Sequence, residues 1–422
     1  MLKNFLKFFF CLFFITHTYS QTILIKNGTI YDGENNDPFV GNILIEDEFI
    51  IRVSSNSIQG DFVIDATGMI ITPGLIATDT DIGIVEIGAL SVTRDDSSEL
   101  YKIGFSIFDA FNPNSTLIPW NRSNGITSAI TLPQNTSSPI GGLGSFFVLD
   151  GRNLEISGKK DMVMIGEVGG DYNASRSETF AIIDDLLIFA KSINQKDLNS
   201  NKDITEIIGE SSIAESMGLH PRDVKALYEL VNGNIPIIIK ANRASDILKL
   251  IKIKNDYGLN LVIMGAQEAH LVSDAISENQ IPLIINPINN IPNSFDELAS
   301  NIEMAKRLEE AGVEFTFNVS RSHNFHLIRQ GAGVAVANGM SYSGAMKSIT
   351  SNPAKFFDIE KRGILKAGNY ADIIIWDADP LEPSSMPEVV FVNGENIDLT
   401  NRSTRLRDRY TKEPSKPATY RN

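Results

Sequence analysis

At 422 residues the chain is long enough for a large core plus an accessory unit, and 42% hydrophobic with 21% charged content marks it as globular. A formal net charge of −15 and a pI near 4.9 leave no basic surplus to neutralise phosphates, which excludes nucleic acid as the main partner. The single cysteine, Cys11, lies near the N-terminus, so disulfides, thiolate nucleophiles and cysteine-bound zinc are excluded from the rest of the chain.

Residues 1–20 read as a secretory signal peptide. Lys3 and Lys7 form its basic start, Phe8 through Ile15 its short apolar run, and Thr18-Tyr19-Ser20 a small-residue cleavage site. That run is too short to span a bilayer, and no later stretch reaches about 18 uninterrupted apolar residues, so no membrane span is expected after cleavage. The expectation is an exported protein, periplasmic or extracellular.

Residues 22–53 alternate as a β-meander, with Lys26-Asn27-Gly28 as a turn and Asp47-Glu48 as a polar tip; residues 62–68 close this region. Ile70-Ile71-Thr72 then runs into the tight turn Pro73-Gly74 and a short apolar strand ending Thr78-Asp79-Thr80-Asp81. Residues two apart on a strand share a face, so Asp79 and Asp81 project together. Apolar runs at 125–130, 162–165, 235–240, 259–264, 281–285 and 314–317 are strand candidates. Helix-like stretches at 244–256, 268–278, 294–311 and 326–337 alternate with the later ones, the pattern of a parallel βα barrel. Ala311-Gly312 and Asn338-Gly339 are helix stops. Residues 112–119 and 134–144 are rich in Pro, Ser, Asn and Gly and read as loops over the barrel mouth. The polar tail after Leu399 is expected to be weakly ordered.

The stretch Pro73-Gly74-Leu75-Ile76-Ala77-Thr78-Asp79-Thr80-Asp81 resembles the first barrel strand of the amidohydrolase superfamily, which reads Pro-Gly-Leu-Ile-Asp-x-His-x-His. Ile64-Asp65-Ala66-Thr67-Gly68 and Gly363-Ile364-Leu365-Lys366-Ala367-Gly368-Asn369-Tyr370-Ala371-Asp372 resemble the two halves of that family's small sandwich. Residues 235–247 and 331–353 are similar to its imidazolonepropionase-like branch. The resemblance spans about Ile23 to Gly394 and implies an α/β fold: a (β/α)8 TIM-type barrel (73–362) inserted in a discontinuous β-sandwich (21–72 and 363–399), followed by the tail 400–422.

In the family the mouth binds a catalytic divalent metal through histidines and an aspartate. Here the resemblance places Asp79 and Asp81 at the first histidine pair, Lys240 at the fifth-strand histidine, Gly265 at the sixth, and Ser320 at the eighth-strand aspartate. Asn242, Arg243 and Asn318 stand beside them as binding candidates. Beyond the leader the histidines are His220, His270, His323 and His326. His220 reads as a surface residue before Pro221, and His270 as packing or capping rather than ligation. His323 and His326, after the eighth strand, are the candidates for relocated chemistry.

Two site arrangements follow. In one, Lys240 stands between Asp79 and Asp81 where the metal stood, giving a metal-free salt-bridged mouth, since two uncompensated carboxylates would repel and one would protonate. In the other, Asp79 and Asp81, with His270 as a weaker candidate, hold one divalent cation, Zn²⁺ or the harder Mg²⁺ or Ca²⁺. A lysine base or Schiff-base nucleophile is a third use of Lys240. Glu86, Arg94, Asp95 and Asp96 are read as solvent-facing loop charges, and a Gly-rich loop between Glu167 and Arg176 as an anion cradle.

The resemblance implies a hydrolase of cyclic amide or other non-peptide C–N bonds with a degenerate site. The alternative is a catalytically silent relative that binds a small ligand or pairs with an active paralogue or a second copy of itself. A serine-triad hydrolase is disfavoured, because no Gly-x-Ser-x-Gly elbow is present.

Overall fold

The computed structural model describes residues 21–134, 138–151, 155–169, 175–319, 321 and 324–411. The signal-peptide expectation falls outside these residues, as do Ser320 and His323.

Two eight-stranded sheets organise the chain. The first joins β1 (Thr22–Ile30), β2 (Phe39–Glu46), β3 (Phe49–Ser54), β4 (Phe62–Asp65) and β5 (Ile70–Pro73) to three strands from the far end of the sequence. β1 pairs antiparallel with β2 on one side and parallel with both β4 and β5 on the other, so the sheet forks around its own core. The turn expected at Lys26-Asn27-Gly28 is instead a bulge inside one long strand. Asn27 takes φ 62°, the register shifts between Ile25 and Gly28, and a Cβ on Gly28 would lie 2.3 Å from Ile71 Cδ1.

The second sheet is the barrel, in the order β13 to β6: β6 (Leu75–Thr80), β7 (Ile126–Thr131), β8 (Ile140–Val148), β9 (Gly158–Glu167), β10 (Ile237–Ala241), β11 (Leu261–Gly265), β12 (Leu283–Ile285) and β13 (Phe315–Phe317). Seven of these run parallel, but β8 is antiparallel to both neighbours. The expected all-parallel (β/α)8 barrel is therefore corrected at this strand, and so, from Ile140 onward, is the loop expected over 134–144. Gly141, Gly142 and Gly144 look like loop residues, yet crowding calls for them. A Cβ would meet Lys102 O at 2.4 Å, Pro133 Cγ at 2.8 Å and Leu132 Cδ2 at 2.5 Å respectively.

Among the described residues no ladder joins β13 to β6. Single hydrogen bonds bridge the seam: Thr78 Oγ1 donates to the Phe317 carbonyl (3.3 Å) and the Asp81 N–H to the Arg321 carbonyl (2.9 Å).

Helices on the outside differ from expectation in places. The stretch 244–256 becomes the helix Ala244–Tyr257, closed by Gly258 at φ 72°. The stretch 294–311 yields helix only at Met304–Glu310, and 268–278 divides into a 3-10 turn (Ala269–Leu271) and a short helix (Ser273–Glu278). Of the tail expected to be weakly ordered, residues 402–411 form the helix Arg402–Thr411, and residues 412–422 lie outside the described residues. Asn401 leads into it, tied to Ser123 Oγ by its side-chain amide (2.8 Å).

β14 (Ile373–Trp376), β15 (Pro387–Val392) and β16 (Glu395–Asn396) complete the first sheet through pairing of β14 with β5. Alternation on β14 and β15 makes them a shared wall. Ile373, Ile375 and Phe391 pack into the sheet core, while Ile374, Trp376, Val390 and Val392 pack into the barrel core. Among the described residues no helix is long and apolar enough to cross a membrane.

Candidate functional site

The C-terminal ends of parallel barrel strands converge at one mouth, where this architecture places its chemistry. Gly74 allows β5 to turn directly into β6. A Cβ there would lie 2.1 Å from Thr127 Oγ1, so only glycine fits against β7. β6 then delivers Asp79 at its end and Asp81 just beyond it.

Asp79 is 5% exposed. Its Oδ2 accepts the Asn318 side-chain amide at 3.1 Å, and its Oδ1 lies 2.9 Å from Arg321 Nε. The latter contact is an ion pair without hydrogen-bond alignment. Arg321 is anchored in turn by Nη2, which donates to the carbonyls of Leu132 (2.7 Å) and Pro133 (3.2 Å). Among the described residues Asp81 makes no ion pair, and its Oδ1 is buried without a donor. Burial pushes its carboxyl up to about 6; Arg321 opposes the shift, and the neighbouring carboxylates of Asp79 and Asp96 add to it.

Lys240 does not fill the place expected of it between the two aspartates. Its ammonium pairs with Glu167 Oε1 at 3.0 Å, its register partner on the adjacent strand β9. The cation beside Asp79 is Arg321. The physical reason is proximity across the seam: Arg321 follows β13, and its own carbonyl accepts the Asp81 N–H, whereas Lys240 lies on β10 beside β9.

The other candidates divide into two groups. Asn318 joins Asp79. Asn242 donates to Glu297 Oε1 (2.8 Å), and Arg243 pairs with Asp296 Oδ1 (2.7 Å). Arg176, at the end of the loop read as an anion cradle, pairs with Asp246 at 2.8 Å and also with Asp296, and residues 170–174 of that loop lie outside the described residues. Asp296 and Glu297 thus pin the irregular segment after β12 to the residues after β10.

The described histidines make contacts of their own. His220 caps the helix Pro221–Val231, its Nδ1 accepting from the Arg222 N–H at 3.2 Å. His326 sits edge-on to Trp120 with ring centroids 5.2 Å apart. His270 has a buried Nδ1 with no partner, and burial with Arg307 nearby holds its pKa below the ordinary imidazole value. Among the loop charges, Glu86 accepts from Thr116 Oγ1 (3.1 Å). Asp96, expected in solvent, is 1% exposed and paired with Arg94 at 2.7 Å.

Two residues escaped the sequence reading. Arg321 follows directly on the eighth-strand position and could have been found as the nearest fixed cation to that strand. Gln267, 2% exposed with an unpaired Oε1, follows β11 at the same end of the barrel, and only its polarity after an apolar strand marks it.

A divalent cation can be tested against this donor set. Among the described residues no three or more His, Cys, Asp or Glu side chains are grouped to hold a metal. Asp79, the more buried of the two aspartates on β6 and its end, already faces a guanidinium, which opposes any further positive charge there. The described residues do not fit the family's divalent ion.

The architecture and the acidic strand end define the class: a barrel joined to a discontinuous sheet, with its polar residues at the mouth. The Amidohydrolase family model matches residues 240–400. An amidohydrolase, tasK, of Hapsidospora irregularis is 22% identical over 421 residues, covering 88% of this chain and 42% of its own length, so this chain spans less than half of that relative. A dihydroorotase of Lactobacillus delbrueckii subsp. bulgaricus is 22% identical over 408 residues, covering 85% of this chain and 89% of its own. An amidohydrolase structure from Thermotoga maritima superimposes with a TM-score of 0.75 at 23% identity, over 89% of this chain and 99% of that one. The superposition shows that the chain shares the fold of that amidohydrolase structure, and the family model's match extends over residues 240–400.

Proposed function

We propose that this is an exported amidohydrolase-fold protein that binds a small ligand at the barrel mouth and does not carry out metal-dependent hydrolysis. The observation that carries the reading is the Arg321–Asp79 contact at 2.9 Å, which sets a guanidinium against the carboxylate that would otherwise serve a metal. The Asn318 amide takes the other oxygen of Asp79, so that carboxylate is committed within the fold. Pairing with an active relative is compatible with such a role, and relatives named for hydrolysis supply the class from which this one departs.

A second reading is favoured by Asp81. A carboxyl raised to about 6 with a free buried oxygen has the properties of a general acid or base for opening a cyclic amide. The dihydroorotase and amidohydrolase relatives support that alternative. Turnover of five- and six-membered cyclic amides, measured with and without added Zn²⁺, separates the two. The binding reading expects no hydrolysis in either condition. Hydrolysis that disappears in Asp81→Asn would establish the second reading instead.

A further inference from the structure

The polar groups at the mouth are unbalanced in one direction. Among the described residues, Asp79 pairs with Arg321, Asp96 with Arg94 and Glu167 with Lys240, whereas Asp81 makes no ion pair. Four oxygens at this end of the barrel are buried and have no donor: Asp81 Oδ1, Asn318 Oδ1, Asn242 Oδ1 and Gln267 Oε1.

The amide orientations behind this count are fixed by chemistry. A carboxylate only accepts, so the amide nitrogen of Asn318 must face Asp79 and that of Asn242 must face Glu297. Their carbonyl oxygens are therefore the free ends. Gln267 is 2% exposed, so its orphaned oxygen is a buried acceptor rather than a solvated one. A buried acceptor without a donor is costly, and a ligand rich in N–H donors would recover that cost.

We infer that the barrel mouth is a binding site for a small organic ammonium, with the Asp81 carboxylate as counter-ion and the amide oxygens of Asn318, Asn242 and Gln267 as acceptors. A hard metal ion could satisfy the same oxygens, but the guanidinium held on Asp79 opposes a divalent charge more strongly than a monovalent one. The entrance favours an apolar body on that amine. Val92 and Leu100 on the loop after β6, and Ile291, Phe295 and Leu298 on the segment after β12, are 89%, 67%, 70%, 83% and 64% exposed. Phe295 and Leu298 directly flank the Asp296 and Glu297 pair that holds Arg243 and Asn242.

This inference rests on the ligand-binding reading above. It is tested by calorimetric titration of the full chain with benzylamine, and with benzyl alcohol as a neutral isostere. Benzylamine is expected to saturate one site, benzyl alcohol to bind at least about tenfold more weakly, and Asp81→Asn to lose at least about tenfold in amine affinity. Equal affinity for the two probes, no saturation below about 10 mM amine, or full retention of binding in a folded Asp81→Asn would overturn it. Should that variant fail to fold, the amine-against-alcohol comparison in the unaltered chain decides. Added Ca²⁺ or Mg²⁺ should not compete at equimolar amine. Retained metal in the purified protein would instead contradict the metal-free reading, so the two failures are told apart.

Discussion

Asp81 sets the pH behaviour of the mouth. Its folded pKa of about 6 lies above that of an unfolded aspartate, so the native state binds more protons than the unfolded chain between about pH 4 and pH 6. Its contribution is therefore favourable in acid and is lost as pH rises through about 6. Discounted for partial exposure, Asp81→Asn should raise stability at pH 7.5 by about 1–2 kcal/mol and leave it nearly unchanged at pH 4, measured by urea unfolding at both pH values. A variant equally stabilised at both would show that the cost at this position is not that of burying the charged carboxylate. Asp79 behaves oppositely on truncation. Arg321→Ala strands a buried carboxylate, and a loss of about 3 kcal/mol is expected, with Asp79→Asn in the same background recovering part of it. The acidic pair itself was legible from the period of a strand. Its cation was not, because Arg321 lies 242 positions from Asp79 and only the closing of the barrel brings them together.

At the scale of elements, apolar continuity made the buried strands readable: Ile237-Ile238-Ile239 in β10 and Leu261-Val262-Ile263 in β11 carry little but core residues. β8 was hidden by its glycines, whose absent side chains answer to crowding from other strands and not to any local signal. The helix Arg402–Thr411 was hidden for the opposite reason: it buries no residue, so no apolar stripe announces it. The Pro73-Gly74 turn supplies a direct test of how β6 is set. Gly74→Ala should cost about 2 kcal/mol or more in thermal or denaturant unfolding, because its Cβ meets Thr127 atoms at 2.1 to 2.8 Å. Thr127→Ala should restore part of that loss. Additive losses in the double variant would mean that backbone strain, not the Thr127 side chain, limits the site.

For the whole molecule, β14 and β15 contribute side chains to both cores. Trp376 is fully buried, donates from Nε1 to Thr72 Oγ1 at 2.9 Å and lies under the Arg329 guanidinium at 4.7 Å. Trp376→Ala should cost about 3–5 kcal/mol and lower a single unfolding transition, because it opens the barrel core at the wall shared with the sheet. Two resolved transitions in calorimetry would show that the sheet and barrel unfold separately. What stands at the mouth in place of a metal is read by elemental analysis of the purified protein before and after dialysis against chelator. The expected result is no stoichiometric Zn, Mg or Ca in either sample and a thermal midpoint indifferent to chelator. About one equivalent of metal, lost on chelation together with thermal stability, would contradict it.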